Sequence, residues 1–237
     1  MSAFSADLTR PDLPAPKRRR RRWPLVVLIV VLALAGLAVI GDRVAASYAE
    51  HRIASEIQKQ GFGARPDVTI HGFPFLTQVA GRHFAHAGMT AKNVREGPLT
   101  ISRIDADVRD VRVDSSFQKG TIGSVDGTAT VSFGDLAEAG GQSDVKLSAA
   151  GPDKVKAEVD LGIDTATVIA QVTKVGKNQI RVHAISVEGF SLDDLDGALD
   201  FTVPVTDLPM GLAFKSLAVS SKGVVLRITG ANIKFPS

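Results

Sequence analysis

Three imidazoles and four carboxylates crowd one stretch of this chain: His71, His83 and His86, then Asp105, Asp107, Asp110 and Asp114. Three histidines with one open position are the ligand set of a catalytic zinc site. The aspartates offer the oxygen donors that a divalent cation or a sugar nucleotide would use. The spacing argues against both. The histidines fit no ligand pattern, and no nearby carboxylate is evident to fix their tautomers. They read instead as solvated loop or rim residues. Arg103, Arg109 and Arg112 alternate with the aspartates along the polar side of one strand, so cross-strand ion pairing on a wet face is expected. "DDLDG" at 193–197 resembles the end of a calcium loop, but Leu192 stands where a carboxylate is needed. No metal and no other cofactor is expected.

Nucleophilic and nucleotide chemistry fare no better. "GFSLD" at 189–193 lacks the second glycine of a nucleophile elbow, and "GFGARP" at 61–66 has Pro66 in place of the third glycine of a dinucleotide fingerprint. No nucleophile–base pair can be named. An enzyme acting on lipid or glycan through Asp105 and Asp107, or through the histidines, is the least favoured reading; a protein without catalysis is expected.

The elements around these residues are more telling. "IHGFPFLTQVAG" (70–81) places two of the chain's eleven phenylalanines on either side of a proline. Proline removes a ladder donor and pushes Phe73 toward an extended backbone. Phe73, Phe75 and Leu76 therefore form an apolar cluster on a stiff corner. It reads equally as a core corner, as the lip of a pocket, or as a tip that touches a bilayer.

Upstream, "KRRRRRW" (17–23) precedes a run from Pro24 to Gly41 with no charged or amide side chain. That length crosses a bilayer core of ~30 Å at 1.5 Å per residue, and the cations hold the N-terminus inside. The expected organisation is a basic cytoplasmic arm (1–22), a transmembrane signal anchor (23–41) and an extracytoplasmic domain (42–237), placing the protein in the cytoplasmic membrane with its C-terminal domain outside. Small residues from Ala33 to Ala46 offer a signal-peptidase site, so a cleaved signal is the competing reading. Residues 1–41 hold 7 Lys+Arg and 2 Asp+Glu, leaving 21 and 23 of the totals of 28 and 25 for residues 42–237, a net −2. The exported part thus lacks the basic face that nucleic acid would need. With no cysteine there is no disulfide, and about 195 residues suffice for a single self-supporting core.

Asp42 to Gln60 reads as a helix with Ala45, Ala46, Ala49, Ile53 and Ile57 on one face, stopped by Gly61 and Gly63. Beyond Pro66 the period is two. In 99–114 the apolar parity changes twice, from Leu99 and Ile101 to Ile104, Ala106 and Val108, then to Val111 and Val113. Each change marks a bulge or bend. Further strands are expected at 128–133, 144–150, 154–163, 165–175, 179–189, 198–205 and within 214–235. Turns are expected at Gly151–Asp153, Gly176–Asn178 and Ser220–Gly223, and short helices at Gly134–Ala139 and Ser191–Leu195. The fold class is α+β: one curved, elongated antiparallel β-sheet wrapped around a long helix.

The inward residues are mostly Val, Ala, Ile and Leu, with one Trp and one Tyr in the whole chain. Large aromatics usually fill cores; small aliphatics closed around a helix leave room for an apolar ligand. Phe73, Phe75 and Leu76 are expected at the mouth of such a site, with Ile53, Ile57, Ile104, Val108 and Val131 lining it. The alternative is a filled core, and with it an envelope scaffold that holds a biosynthetic enzyme.

"PDVTIHGFPFLTQVAGRHFAHAGMTAKNV" (66–94) resembles the hallmark segment of the LmeA-like phospholipid-binding proteins of actinobacterial envelopes. "ADVRDVRVD" (106–114), "VDGTATVSFGDL" (125–136) and "LPMGLAFKSLAVSSKGVVLRITGANIKF" (208–235) agree with that family's pattern, although Met210 stands where a second proline is frequent. The resemblance implies an envelope protein that binds phospholipid, phosphatidylinositol among them, in a tubular lipid-binding-like β-structure. It also implies a link to lipoglycan (lipomannan) synthesis and its enzymes, and no catalytic residues.

Overall fold

The computed structural model describes residues 23–59, 63–97, 99–160, 165–188, 199–205 and 212–235. The chain divides into a unit ending at Ile40 and a larger one from Gly41 to Ser237. Helix α1 runs Trp23–Lys59. Its apolar side chains from Leu25 to Ile40 are exposed, and it is long and apolar enough to cross a membrane, a property that an anchor and a signal sequence share.

The larger unit is α+β and antiparallel. Its strands are β1 (Asp67–His71), β2 (His83–Glu96), β3 (Leu99–Val113), β4 (Gly120–Val131), β5 (Lys146–Ala149), β6 (Lys154–Asp160), β7 (Thr165–Val175), β8 (Gln179–Val187), β9 (Phe201–Pro204), β10 (Ala213–Ser220) and β11 (Gly223–Phe235), with short helices α2 (Phe75–Gly81) and α3 (Phe133–Ala139). Two sheets form where one was expected, ordered β1-β2-β3-β4-β11-β10 and β5-β6-β7-β8-β9. The three expected turns join β5 to β6, β7 to β8 and β10 to β11. At the last, Gly223 has φ +139° and a Cβ there would stand 2.0 Å from the Val131 carbonyl oxygen, so only glycine fits. Ser132 caps α3, accepting from the Asp135 amide at 3.1 Å. The helix expected at Ser191–Leu195 lies outside the described residues.

The parity changes turn out to be bends rather than bulges. Strand pairing across β2, β3, β4 and β11 keeps one register from end to end. All four strands change face at the same line, through Ala85, Asp110, Gly123 and Asn232. Asp110 and Asn232 take φ of +54° and +52°, a conformation that Asp and Asn tolerate best after glycine. A second crease passes through Asn93 (φ +53°) and Ser102, whose hydroxyl donates to the Thr130 carbonyl at 2.8 Å. A bulge would leave an extra residue in one strand; here the residues on the crease line drop out of the pairing in neighbouring strands together, and the ladder resumes beyond them in the same register.

The creases divide the apolar face into three panels. At one end Val94, Leu99, Ile101, Val131 and Val224 pack with Val155, Val172, Ile180, Val182 and Val203 of the second sheet in a filled core. At the other, Ile70 and Phe75 pack with Ala46, Ala45, Ala49, Val79 and Phe84. Of the part of α1 that belongs to the larger unit, only Asp42, Ala46 and Ala54 are buried. Ala45, Ala46 and Ala49 touch the sheet through the Ile70 and Phe75 cluster, while Ile53, expected to face inward, is exposed. Gly123 sits in the fold of the first crease, where an added Cβ would stand 2.8 Å from Asp110 Cβ. Gly123→Ala is expected to destabilise the larger unit by about 1–3 kcal/mol through forced backbone shifts, read as a lower urea midpoint at unchanged slope.

Candidate functional site

Between the creases lies the third panel. Strand pairing aligns Val68, Met89, Ala106, Gly127 and Ile228 in one row, and Ile70, Ala87, Val108, Val125 and Gly230 in the next. Val68, Ala87, Met89, Ala106, Val108 and Ile228 are half-buried, whereas Val125 is buried and Ile70, at the panel's edge, is buried in the cluster with Phe75. Two of the expected lining residues are here: Val108, and Ile104, which packs at the edge of the main core. Val131 lies wholly inside that core, Ile57 is half-buried on α1, and Ile53 faces solvent. The structure therefore brings Ile104 and Val108 onto one panel and leaves the other lining candidates apart from it.

The corner is held from below by a group that sequence patterns did not single out. Asp42, only 3% exposed, accepts from the amides of Phe75 at 2.9 Å and Leu76 at 2.8 Å, and pairs with Arg43 at 3.0 Å. These are first-turn amides of α2 that no helical carbonyl can satisfy, so the carboxylate completes them. Arg43 also donates to the Gly72 carbonyl and places its guanidinium 5.1 Å from the Phe73 ring centre. The result is a corner with Phe75 buried and with Phe73 and Leu76 exposed. The only available signal was Asp42 itself, the first charge after the apolar run.

The opposite face of the same panel is polar. A trough of about 480 Å³ is lined by Asp67, Thr69, Thr90, Asp107, Thr128 and Arg227, among others. The expected cross-strand ion pairs run instead along β3, as Arg103 to Asp105 at 2.5 Å, Arg109 to Asp107 at 2.7 Å and Arg112 to Asp110 at 3.0 Å. Side chains two apart share a face and reach one another. The cross-strand partners are the histidines: His86 meets Asp107 at 2.5 Å and His83 meets Asp110 at 2.7 Å, while His71 stacks on His86 at 4.3 Å. His83 is thus drawn away from the other two. Among the described residues no three metal-ligating groups converge.

The family model for LmeA-like phospholipid-binding proteins matches residues 40–229. The chain belongs to that family. The match begins at the last residues of the apolar run and takes in all eleven strands except the end of β11. Uncharacterized proteins of Mycobacterium tuberculosis (strain H37Rv) and Mycobacterium bovis are each 26% identical over 249 aligned residues, covering 99% of this chain and 72% of the relative. No solved structure matches. The family is a lipid-binding one, so the apolar panel and the corner, rather than the charged trough, are the places to seek a site.

Two substitutions probe this geometry. Asp42→Ala strands two buried amides and is expected to cost about 2–3 kcal/mol, read by thermal unfolding. In the trough, the Arg103 guanidinium holds the Asp105 carboxyl below its ordinary value of 3.8, and the Arg109 guanidinium, with His86 second, does the same for Asp107. Carboxylates depressed in the folded state contribute stability above the ordinary value, and it is lost as pH falls through the folded one. Asp107→Asn is expected to lower stability slightly at pH 7 and to flatten the acid limb below about pH 4, leaving stability near pH 2 unchanged; solvent exposure keeps the effect small.

Proposed function

We propose that this protein is a non-catalytic, membrane-tethered phospholipid-binding module on the outer side of the cytoplasmic membrane, serving lipoglycan synthesis or lipid handling. Family membership across residues 40–229 carries the reading, and the half-buried panel of Val68, Ala87, Met89, Ala106 and Val108 supports it. Panels packed on the second sheet reach full burial with the same residue types, so the middle panel has apolar surface left to cover. Each buried acyl CH₂ contributes ~0.8 kcal/mol, so half of a 16-carbon chain would give roughly 6 kcal/mol before ordering costs.

In this reading Ile104 and Val108 contact the tail, while Ile53 and Ile57, on α1 and apart from the panel, do not line its path. Phe73 and Leu76 stand at the mouth, and Phe75 and Val131 serve as packed backing. Phosphatidylinositol is the proposed head group among several, and an envelope biosynthetic enzyme the proposed protein partner. The apolar run of α1 serves as a retained anchor with the basic arm inside. A scaffold reading draws on a different observation, the densely filled main core. Native mass spectrometry of the unit from Gly41 onward separates the two. Co-purifying phospholipid that is reduced in Val108→Asp is expected; a lipid-free protein that cannot be loaded would leave the scaffold.

A further inference from the structure

Beyond Lys59, the large apolar side chains exposed among the described residues are Phe73 (60%), Leu76 (51%), Phe117 (49%) and Val175 (38%). The first three gather at one end of the six-stranded sheet. Phe73 and Leu76 flank the start of α2. Arg82, the C-cap of α2, accepts from the Val113 amide at 3.1 Å, and Val113 is where β3 ends and the turn carrying Phe117 begins. So the two apolar tips leave the sheet side by side in its topology.

Both are built to be presented. Asp42 and Arg43 fix the α2 corner, as described above. In the 114–119 turn, Asp114 accepts from the amides of Ser116, Gln118 and Lys119 at 3.1, 3.2 and 3.4 Å. Phe117 itself has φ +57°, a costly conformation for a bulky residue, yet about half of its surface is left exposed. A strained backbone that holds an aromatic ring half in solvent points to a contact outside the chain. Exposed cations stand beside the rings: Arg43 over Phe73, Arg82 at the end of α2, and Lys119 two residues from Phe117.

We infer that this end of the sheet docks on the bilayer, with Phe73, Leu76 and Phe117 at the headgroup–acyl boundary and Arg43, Arg82 and Lys119 among the phosphates. The occupant follows from connectivity. The residue that pins the corner, Asp42, is the first charge after the apolar run, so the corner is tied to the point where the chain enters the larger unit. Aromatic rings with flanking cations match the boundary's chemistry. The inference rests on the anchored reading above, and it turns the mouth of the proposed lipid site toward its source.

The chain has no cysteine, so Leu76→Cys, Phe117→Cys and Val175→Cys each create a single labelling site. The full chain, carrying an environment-sensitive fluorophore, is reconstituted in vesicles of phosphatidylcholine and phosphatidylglycerol. Labels at 76 and 117 are expected to shift to the blue and to be quenched most by bromines placed shallowly, within about 5–10 Å of the headgroup boundary. The label at 175, on the β7–β8 hairpin, is expected to stay in water. A blue shift without bromine quenching would mean contact with a second copy and would overturn the inference. Aqueous labels at 76 and 117 in a chain that floats with vesicles would overturn docking while leaving the anchor intact. A chain that fails to float would remove both. Unlabelled protein gives a check free of substitution: amides of 114–119 should exchange more slowly in vesicles than after release of the unit from Gly41. Equal exchange counts against docking. Lipid retention by the released unit is measured separately, so the tail-binding reading can fail alone.

Discussion

Four neighbouring strands that change face at the same line give this domain its character. A strand can turn its apolar side over only by inserting or bending a residue, and a lone change would break the ladder to its neighbours. Here Ala85, Asp110, Gly123 and Asn232 leave the pairing together, so the register is preserved on both sides while the sheet folds. The requirement is chemical as much as geometric. Asp and Asn tolerate the left-handed conformation, and glycine supplies the space opposite Asp110. One sheet thereby meets a second sheet at one end, a helix corner at the other, and leaves an incompletely covered panel between.

The corner depends on a different interaction, a buried carboxylate at a helix start. A seven-residue helix has little stability of its own. Asp42 satisfies two of its first amides and Phe75 plugs it into the Ala46–Ile70 cluster. Exposed Phe73 and Leu76 are then held in place by the corner beneath them, which lowers the ordering cost of any contact they make.

The charged face shows why residue type alone misleads. Histidines and aspartates in numbers suitable for a metal are instead spread into pairs along β3 and across to β2. Asp105, Asp107 and Asp110 are each engaged by an arginine beside them or an imidazole opposite, and Asp114 by the amides of its own turn. The trough that His71, Asp105 and Asp107 line with Asp67, Asp126 and Arg227 is polar, and it lies on the side of the sheet away from the apolar panel.

Local rules determined much of this protein in advance. Alternation located β3 and β5 to β11, glycine placed the hairpin turns, a short helix at Gly134–Ala139 was expected where α3 forms, and the parity of 99–114 revealed that β3 must bend. Four stretches identified the family. β1, β2 and the first eight residues of β4 were illegible, because Gly88, Gly123, Gly127 and the creases interrupt the alternation that marks a strand. Helix α2 hid behind the proline that precedes it. What only tertiary structure decided was non-local: that the strands divide into two sheets, that Asp42 reaches residues more than thirty positions away, and that Ala54 rather than Ile53 turns inward. Sequence fixes which side of a strand is apolar, but how fully that side is covered depends on which distant element can approach it. That difference separates the filled panel around Val131 from the open one around Val108.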